Sequence, residues 1–149
     1  MIHSLDNSQQ SIAKEMMAVF MESYAIEAAL LNAKNFPPLK RPLEGYIDCR
    51  NEFFGFIIDG NIAGVIEIAD SQDYTHIQSL VVSPKHFRKG IGSQLIEHVF
   101  NHYQSDTFMV ETGAANEPAI KLYERHGFEL ESEFDTSIGI RKVRFKRYR

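Results

Sequence analysis

The sequence has few of the features that would place a chain outside the ordinary globular class. It contains no tryptophan, one cysteine and five prolines in 149 residues, and no apolar run approaches the roughly 18 residues that a membrane span requires. Because Cys49 is alone, an intramolecular disulfide is excluded, and a reducing compartment fits. The first ten residues lack a basic segment followed by an apolar one, which argues against a secretory signal. We therefore expect a cytoplasmic protein that does not enter membranes.

What remains is an average globular composition, with 44% hydrophobic and 24% charged residues. A chain of this length corresponds to one ordinary domain, so we expect residues 1–149 to form a single domain. Neither an internal repeat nor a low-complexity tract divides it.

Basic residues are scarce except at the end of the chain. The final nine residues, "RKVRFKRYR", contain six Lys and Arg and no acid, whereas the chain as a whole has a net charge of −4. The preceding residues therefore carry about −10. A basic end can contact nucleic acid or an acidic partner. However, Val143 and Phe145 alternate with charges, and this pattern favours a half-buried terminal strand.

The order of predicted elements indicates a mixed α/β sheet. A helix capped by Asp6, Ser8 or Ser11 is expected to run, with a break, to Ala33. The prolines of "NFPPLKRP" predict a loop after it. "FFGFIIDGNIAGVIEIAD" predicts two strands joined by a hairpin turn at Asp-Gly-Asn. The remaining predicted elements are a strand "HIQSLVV", a helix after the next glycines, a strand "TFMVET", a short helix "PAIKLYERH" and a final pair of strands.

A basic glycine turn separates "HIQSLVV" from the helix that follows it. Gly90 and Gly92 allow the backbone to approach a ligand, and the first amides of the helix point outward. Five apolar residues form one face that anchors this helix: Ile91, Leu95, Ile96, Val99 and Phe100. The macrodipole favours an anion by roughly 0.3–1 kcal/mol, and Arg88 and Lys89 add positive charge. A phosphate-bearing ligand is one interpretation, and an ordinary glycine turn is the other.

The downstream stretch "ETGAANEPAIKLYERHGFE" separates these interpretations. It carries Asn116, Ala119, Tyr123, Gly127 and Phe128 at spacings that, together with "VVSPKHFRKGIGSQLI", resemble the GNAT superfamily of acyl-CoA-dependent N-acyltransferases. The resemblance is specific over residues 77–134. It implies a mixed, mostly antiparallel central sheet that is flanked by helices and splayed between the fourth and fifth strands, an α/β (α+β) fold.

The same resemblance implies a coenzyme A site. The turn from Arg88 to Ser93, with Lys89, Gly90, Ile91 and Gly92 between them, would wrap the pyrophosphate. Backbone groups of Leu80, Val81 and Val82 would pair with the pantetheine arm as a strand does, and Asn116 would meet the cofactor from the far side. The chain departs from the family pattern at Phe87, where Gln or Arg is usual, so a polar contact is lost.

Acetyl transfer to an amine needs a proton acceptor, because a lysine-like amine with a pKa of about 10.4 is protonated at pH 7. The strand before the turn offers Gln78 and Ser79, where many relatives have an acid. The resemblance points to Glu111, five residues before the motif asparagine, as the base; Glu67 and His76 acting through a water are rivals. Each has a purely structural alternative, since a Glu at a strand end is often only solvated.

The resemblance also assigns Tyr123 as the group that protonates or hydrogen-bonds the departing thiolate; the alternative is a half-buried helix tyrosine. The implied mechanism is direct attack of a neutral amine on the thioester of acetyl-CoA, with a strand amide near Leu80 or Val81 polarising the carbonyl. The expected acceptor is a primary amine of a small molecule, a protein N-terminus or a lysine. A non-catalytic acyl-CoA-binding module that contacts nucleic acid through the basic end is the alternative.

The acceptor is expected to contact mainly the helix and loop from Tyr24 to Tyr46. Met21, Tyr24, Phe36 and Tyr46 are expected either to line an apolar pocket or to form core. We expect no metal, although His98 and His102 have a helical spacing that can bind zinc, because a third ligand is missing. The aromatic residues show no RNA-binding signature, which argues against nucleic acid as a partner. A homodimer is left open.

Overall fold

The computed structural model describes all 149 residues. The elements in chain order are β1 (Ile2–Leu5), α1 (Gln10–Leu30), α2 (Leu43–Ile47), β2 (Glu52–Ile58), β3 (Asn61–Asp70), β4 (Thr75–Val82), α3 (Ile91–His102), β5 (Thr107–Gly113), α4 (Glu117–Arg125), β6 (Glu129–Asp135) and β7 (Arg141–Tyr148). Short 3₁₀ turns lie at Pro37–Lys40 and Pro84–His86. No helix combines the length and apolar character that crossing a membrane requires.

The seven strands form one sheet in the order β1-β2-β3-β4-β5-β7-β6. Every neighbouring pair is antiparallel except β4 and β5, which run parallel. This mixed, mostly antiparallel sheet confirms the predicted fold class. The predicted hairpin is also confirmed, since β2 and β3 are joined by Asp59 and Gly60, both with positive φ. That backbone conformation matches the twist of the two strands.

Two hydrophobic clusters cover the two faces of the sheet. The larger contains the apolar face predicted for α3, together with Tyr123 of α4 and Phe128, which follows that helix. The smaller contains α1 residues such as Met16 and Phe20 together with Tyr46 of α2. Because β3 is central and covered on both faces, it is an almost continuous apolar run in which Glu67 is the only charged residue before Asp70.

The basic end of the chain forms strand β7, as its alternating pattern predicts. Val143 and Phe145 are buried in the larger cluster, and β7 lies between β5 and β6. Acids of neighbouring strands pair with its charges: Arg141 with Glu133 and Asp135, and Lys146 with Glu131. The positive charge of this strand is therefore largely used within the sheet.

Three details of the predicted elements are wrong. Helix α1 is unbroken and ends at Leu30, and its first flanking residue is Gln9, which makes no side-chain cap. Asp6 instead accepts a hydrogen bond from the Ser8 amide. The proline-rich segment is not a plain loop, because Pro37 opens a 3₁₀ turn and Pro42 directly precedes α2. Proline fits these positions since the first helical residues need no N–H partner.

Candidate functional site

Strands β4 and β5 separate along their length, and the gap between them forms the site. They pair only where Thr75–Ile77 meets Phe108–Val110. Beyond Ile77 the β4 backbone remains bonded to β3 on its other edge, so the edge that faces β5 is open. The open segment includes Leu80, Val81 and Val82, which leaves backbone groups free to bond to an extended ligand.

The glycine turn lies at the mouth of this gap. Gly90 has φ 77° and directly precedes α3, while Arg88 has φ 65°. A non-glycine residue in the left-handed region is uncommon and costs of the order of 1 kcal/mol, so it marks a turn held by its surroundings. The Phe87 amide donates a hydrogen bond to the backbone, and so does the Gln94 amide, to the Gly90 carbonyl. None of the amides between these two residues donates to the backbone.

The amides from Arg88 to Ser93 therefore remain available to a ligand. These include the first amides of α3, where the positive end of the helix dipole lies. Such an arrangement of amides binds phosphate groups. The Ser93 hydroxyl is already engaged, because it lies 3.0 Å from Nε2 of His126, whose Nδ1 lies 3.0 Å from Glu97. No sequence pattern indicated these hydrogen bonds, because His126 and Ser93 are 33 residues apart.

Two cavities occupy the gap, one on each side. The first has a volume of about 440 Å³ and extends along the turn, α4 and the C-terminal half of α1. Its lining includes Leu80, Val82, Arg88, Gly90, Ile91, Gly92, Ser93 and Asn116 among the predicted cofactor-binding residues. Val81 and Lys89 do not line it; the Val81 side chain is buried in the smaller core cluster.

The second cavity, of about 650 Å³, lies between α1, the proline-rich segment and strands β3, β4, β5 and β7. The two cavities share five lining residues: Glu27, Leu80, Asn116, Ala119 and Tyr123. We call the place where these five residues lie the junction. A ligand lying along the first cavity would present its end to the second cavity at the junction.

Tyr123 is buried at the junction, with 5% of its surface exposed. Its hydroxyl makes no hydrogen bond within the protein, and its ring packs on Phe128 and Phe145. Burial raises the pKa of Tyr123 above its ordinary value, and the nearby Glu27 and Tyr24 raise it further. The phenol is therefore protonated at neutral pH and free to donate a proton or a hydrogen bond.

Asn116 also lies at the junction, but its side-chain amide uses part of its hydrogen-bonding capacity to cap α4. Its Oδ1 accepts a hydrogen bond from the Ala119 amide, and its Nδ2 lies 3.4 Å from the Thr112 hydroxyl. This is the common role of asparagine before a helix.

Glu111 lines the larger cavity and is paired with Arg144 of the adjacent strand. Nε and Nη2 of Arg144 each lie 2.7 Å from Oε2 of Glu111. This two-point contact neutralises the carboxylate and fixes its orientation. The structure thus brings Glu111 to the cavity but not to the junction.

Glu67, a rival base, forms the floor of the larger cavity. Burial disfavours its ionised form, but hydrogen bonds from Arg41 and Asn51 outweigh burial and lower its pKa. Arg41 lies 2.9 Å from Oε1 of Glu67, and its guanidinium carbon lies 4.2 Å from the centre of the Tyr46 ring. Sequence reasoning missed Arg41 and Asn51, although a lone Glu in an apolar strand signals a buried partner.

The other rival base, His76, does not line either cavity. Burial is the main cause that lowers its pKa, so the imidazole is neutral at pH 7. Its role as a base gains no support from this position.

The segment predicted to contact the acceptor divides between cavity and core. Tyr24 and Phe36 line the larger cavity, and the Tyr24 hydroxyl donates to Ser79 over 2.9 Å. Tyr46 is fully buried, and Met21 packs beside the smaller core cluster. The expectation of an apolar pocket is thus incomplete, because charged and amide side chains share the lining.

The two helical histidines have an aromatic packing role. The rings of His98 and His102 stack with centroids 5.6 Å apart, and both lie against Phe54. No group of three or more His, Cys, Asp or Glu side chains is arranged to hold a metal ion.

A sheet that opens between two parallel strands, beside free amides at a helix start, is an arrangement that can hold an extended anionic ligand between the strands. Residues 11–128 match the Acetyltransferase (GNAT) family. The chain therefore belongs to this family, and the resemblance seen in the sequence is confirmed.

Individual relatives agree with this assignment. The UPF0157 protein YqkA of Bacillus subtilis (strain 168) is 32% identical over 130 residues, which cover 87% of this chain and 38% of YqkA. The peptidyl-lysine N-acetyltransferase YiaC of Escherichia coli (strain K12) is 31% identical over 72 residues, which cover 48% of this chain and 46% of YiaC. The chain spans less than half the length of these curated relatives.

A solved structure supports the fold. The PaiA N-acetyltransferase from Thermoplasma acidophilum in complex with coenzyme A superposes with a TM-score of 0.78 at 16% identity, covering 100% of this chain and 99% of that one. At this identity the likeness concerns the fold alone.

Proposed function

We propose that the protein is an N-acetyltransferase that moves an acetyl group from acetyl-CoA to a primary amine. The observation that carries this proposal is the junction, where a buried, unbonded phenol lines both the cavity beside the free amides of the turn and a separate polar cavity. A ligand that is anionic at one end and reactive at the other suits the first cavity, and an amine suits the second.

The residues of the first cavity fit coenzyme A. The amides from Arg88 to Ser93 would bind its pyrophosphate, and the open edge of β4 would pair with its pantetheine arm. When bound, acetyl-CoA supplies an activated thioester. A free amide of β4 near Leu80 or Val81 would donate to the thioester carbonyl as charge develops on its oxygen.

In the transfer, the nitrogen of a neutral amine bonds to the thioester carbon, and the carbon–sulfur bond breaks. Tyr123 would donate a proton to the departing sulfur. Its raised pKa keeps the phenol protonated until the thiolate forms. The amine proton would pass to a base, for which Glu111 remains the proposal, and proton exchange with solvent would then return Tyr123 and Glu111 to their starting states. The bond of Glu111 to Arg144 opposes protonation, so uptake would require the pair to loosen.

The acceptor is proposed to be a small amine, a protein N-terminus or a lysine side chain. The lysine class is included because YiaC, a relative over part of the chain, is a peptidyl-lysine N-acetyltransferase. The lone cysteine suits a reducing compartment, which is why we place the protein in the cytoplasm.

Release of free thiol from acetyl-CoA tests the proposal. We expect a panel of primary amines and lysine peptides to accelerate thiol release, with water alone as the control for hydrolysis. Tight binding of acetyl-CoA with no acceleration by any amine or peptide would contradict an enzyme. It would favour the non-catalytic acyl-CoA-binding module.

The role of Glu111 has its own test in the pH dependence of the variant Glu111→Gln. If Glu111 takes the amine proton, kcat/KM should fall by about 10²-fold below neutrality, where the amine is protonated, and less at alkaline pH. An equal loss at every pH would instead assign Glu111 to holding Arg144.

A further inference from the structure

One carboxylate at the junction is unused by the fold. Glu27, on α1, is the only acidic residue among the five that line both cavities. The other two carboxylates of the larger cavity, Glu67 and Glu111, line that cavity alone and are each held by an arginine. Glu27 makes no hydrogen bond and no ion pair, although it is partly buried.

A partly buried carboxylate without a partner is costly to keep ionised. Burial raises the pKa of Glu27, and the positive charge of Lys142 across the larger cavity opposes this rise. Lys142 forms no ion pair with it. The fold therefore carries the cost of Glu27 without a compensating contact, which is characteristic of a group whose partner is a ligand.

A second, independent feature points to a ligand at the same place. Tyr123 is more than nine-tenths buried, has no hydrogen-bond partner and lines the same junction. Glu27 lies close enough to raise the pKa of this phenol. A donor group and an acceptor group thus face one small volume, and neither is satisfied by the protein.

We infer that Glu27 binds the protonated amino group of the acceptor at the junction, which makes the acceptor an aliphatic amine that is cationic at neutral pH. This inference deepens the proposed function and rests on it. An aliphatic ammonium carries three donors and a positive charge, whereas an aromatic amine is neutral at pH 7 and would gain little from a carboxylate. Glu27 would hold the amine beside the thioester carbon before its proton is removed.

Binding can be measured without turnover, which separates this inference from the proposed function. The probe is n-butylammonium, titrated by ligand-observed NMR into the coenzyme A complex of the full chain at pH 7. The variants are Glu27→Gln and, as a matched control, Glu22→Gln, which makes the same change on an exposed position of α1 that lines neither cavity. The uncharged analogue n-butanol serves as the second control.

We expect Glu27→Gln to weaken n-butylammonium binding by about 10-fold or more, the usual effect of a hydrogen bond to a charged group. Glu22→Gln should leave it unchanged, and n-butanol should bind all three proteins equally. Absence of n-butylammonium binding to the wild-type complex would overturn the inference. Equal affinity in the two variants, or a parallel loss of n-butanol binding, would overturn it too.

Kinetics with an aliphatic amine substrate give a second measurement. Glu27→Gln should raise KM for the amine by about 10-fold or more and change kcat by only a few-fold, because binding energy is lost before the chemical step. A loss in kcat with unchanged KM would assign Glu27 to the chemistry and overturn its binding role. Since ionised Glu27 is partly buried without a partner in the protein, the neutral variant should be at least as stable as the wild type.

Discussion

The two sides of the gap differ in the kind of group that they present, backbone amides on one side and side chains on the other. On the proposed cofactor side, the groups left free for a ligand are backbone amides of one continuous turn, from Arg88 to Ser93, fixed by the buried face of α3. On the proposed acceptor side, the larger cavity is lined mainly by side chains from α1, the proline-rich segment and four strands. The donors of the first side belong to the backbone, so they do not depend on side-chain identity. The charges of the second side belong to side chains, so a substitution there changes them.

This difference teaches where specificity lies. Backbone amides bind any ligand with the same phosphate end, so the cofactor side can remain constant while the acceptor changes. The acceptor side depends on which charges are neutralised within the protein and which are left for a ligand. Here Glu67 and Glu111 are neutralised by arginines, and Glu27 is not. Substitutions that alter one side, or the junction, therefore test whether the other side responds.

The largest effect is expected at the junction itself. Tyr123→Phe should lower kcat by about 10²- to 10⁴-fold, the usual contribution of a positioned acid. Acetyl-CoA affinity and stability should remain, because the hydroxyl makes no hydrogen bond within the protein. Steady-state kinetics and calorimetry measure the two quantities.

Tyr24→Phe is the matched control, since it removes a hydroxyl that lines only the larger cavity and donates to Ser79. It should cost far less in kcat. Full activity of Tyr123→Phe would reduce this tyrosine to a packing residue. Equal losses of cofactor affinity and rate would mean that the hydroxyl stabilises the bound cofactor and the transition state equally.

The second effect concerns the stability of the acceptor side. Arg41→Met should lower the free energy of unfolding at pH 7 by about 3–5 kcal/mol, because it leaves the Glu67 carboxylate buried without its cation. Urea denaturation measures this change. The double variant with Glu67→Gln should recover much of the loss, since it removes the buried charge as well.

The pH dependence of this effect has a defined sign. In the wild type the folded-state pKa of Glu67 is lowered, so its stabilising contribution is present above the ordinary glutamate pKa of about 4.3 and is lost as the pH falls through the lowered value. In Arg41→Met the Glu67 carboxylate has no cation beside it. Lowering the pH should therefore reduce the difference in the free energy of unfolding between the variant and the wild type. A loss below 1 kcal/mol at pH 7 would contradict this account.

The contrast between the cofactor side and the acceptor side also explains which features could be predicted from the sequence. The Asp59-Gly60 hairpin, the glycine turn, α4 and the strand alternation of β7 depend on local patterns, and all are found. The motif spacing also identified the fold, including the gap between β4 and β5. The hairpin, the turn, α4 and β7 are each determined by neighbouring residues along the chain, whereas the gap was implied by the resemblance that two separate motifs carry.

Tyr24, Phe36 and Glu111 were predicted for the acceptor side and line the larger cavity. Its ion pairs could not be predicted, because they join residues that are far apart in sequence. Arg41 and Glu67 are 26 residues apart, and Glu111 and Arg144 are 33 apart. Nothing local distinguishes Glu27, a helix glutamate, from the exposed Glu22 on the same helix. Only the folded arrangement shows which carboxylates have partners.

The third prediction alters the cofactor side alone. Gly90→Glu should weaken acetyl-CoA binding by about 10²-fold, because it forces a side chain into a left-handed conformation and brings a negative charge to the phosphates. Gly60→Glu is the control, since Gly60 has a similar φ of 80°, with open space around an added Cβ, in a hairpin away from the gap. Calorimetry should find the control unchanged. Equal affinity of both variants for acetyl-CoA would show that this turn is not the phosphate site.

The smallest effect tests the position where the turn departs from the family pattern. Phe87 is 44% exposed and lines the first cavity, so a polar side chain there would reach the turn without disturbing the core. Phe87→Gln should tighten acetyl-CoA binding by about 2- to 10-fold, corresponding to one added hydrogen bond of about 0.5–1.5 kcal/mol. KM for the amine should not change, because Phe87 does not line the larger cavity. Weaker cofactor binding would mean that the phenyl ring itself packs on the ligand, and a changed amine KM would show that the two sides of the gap are not independent.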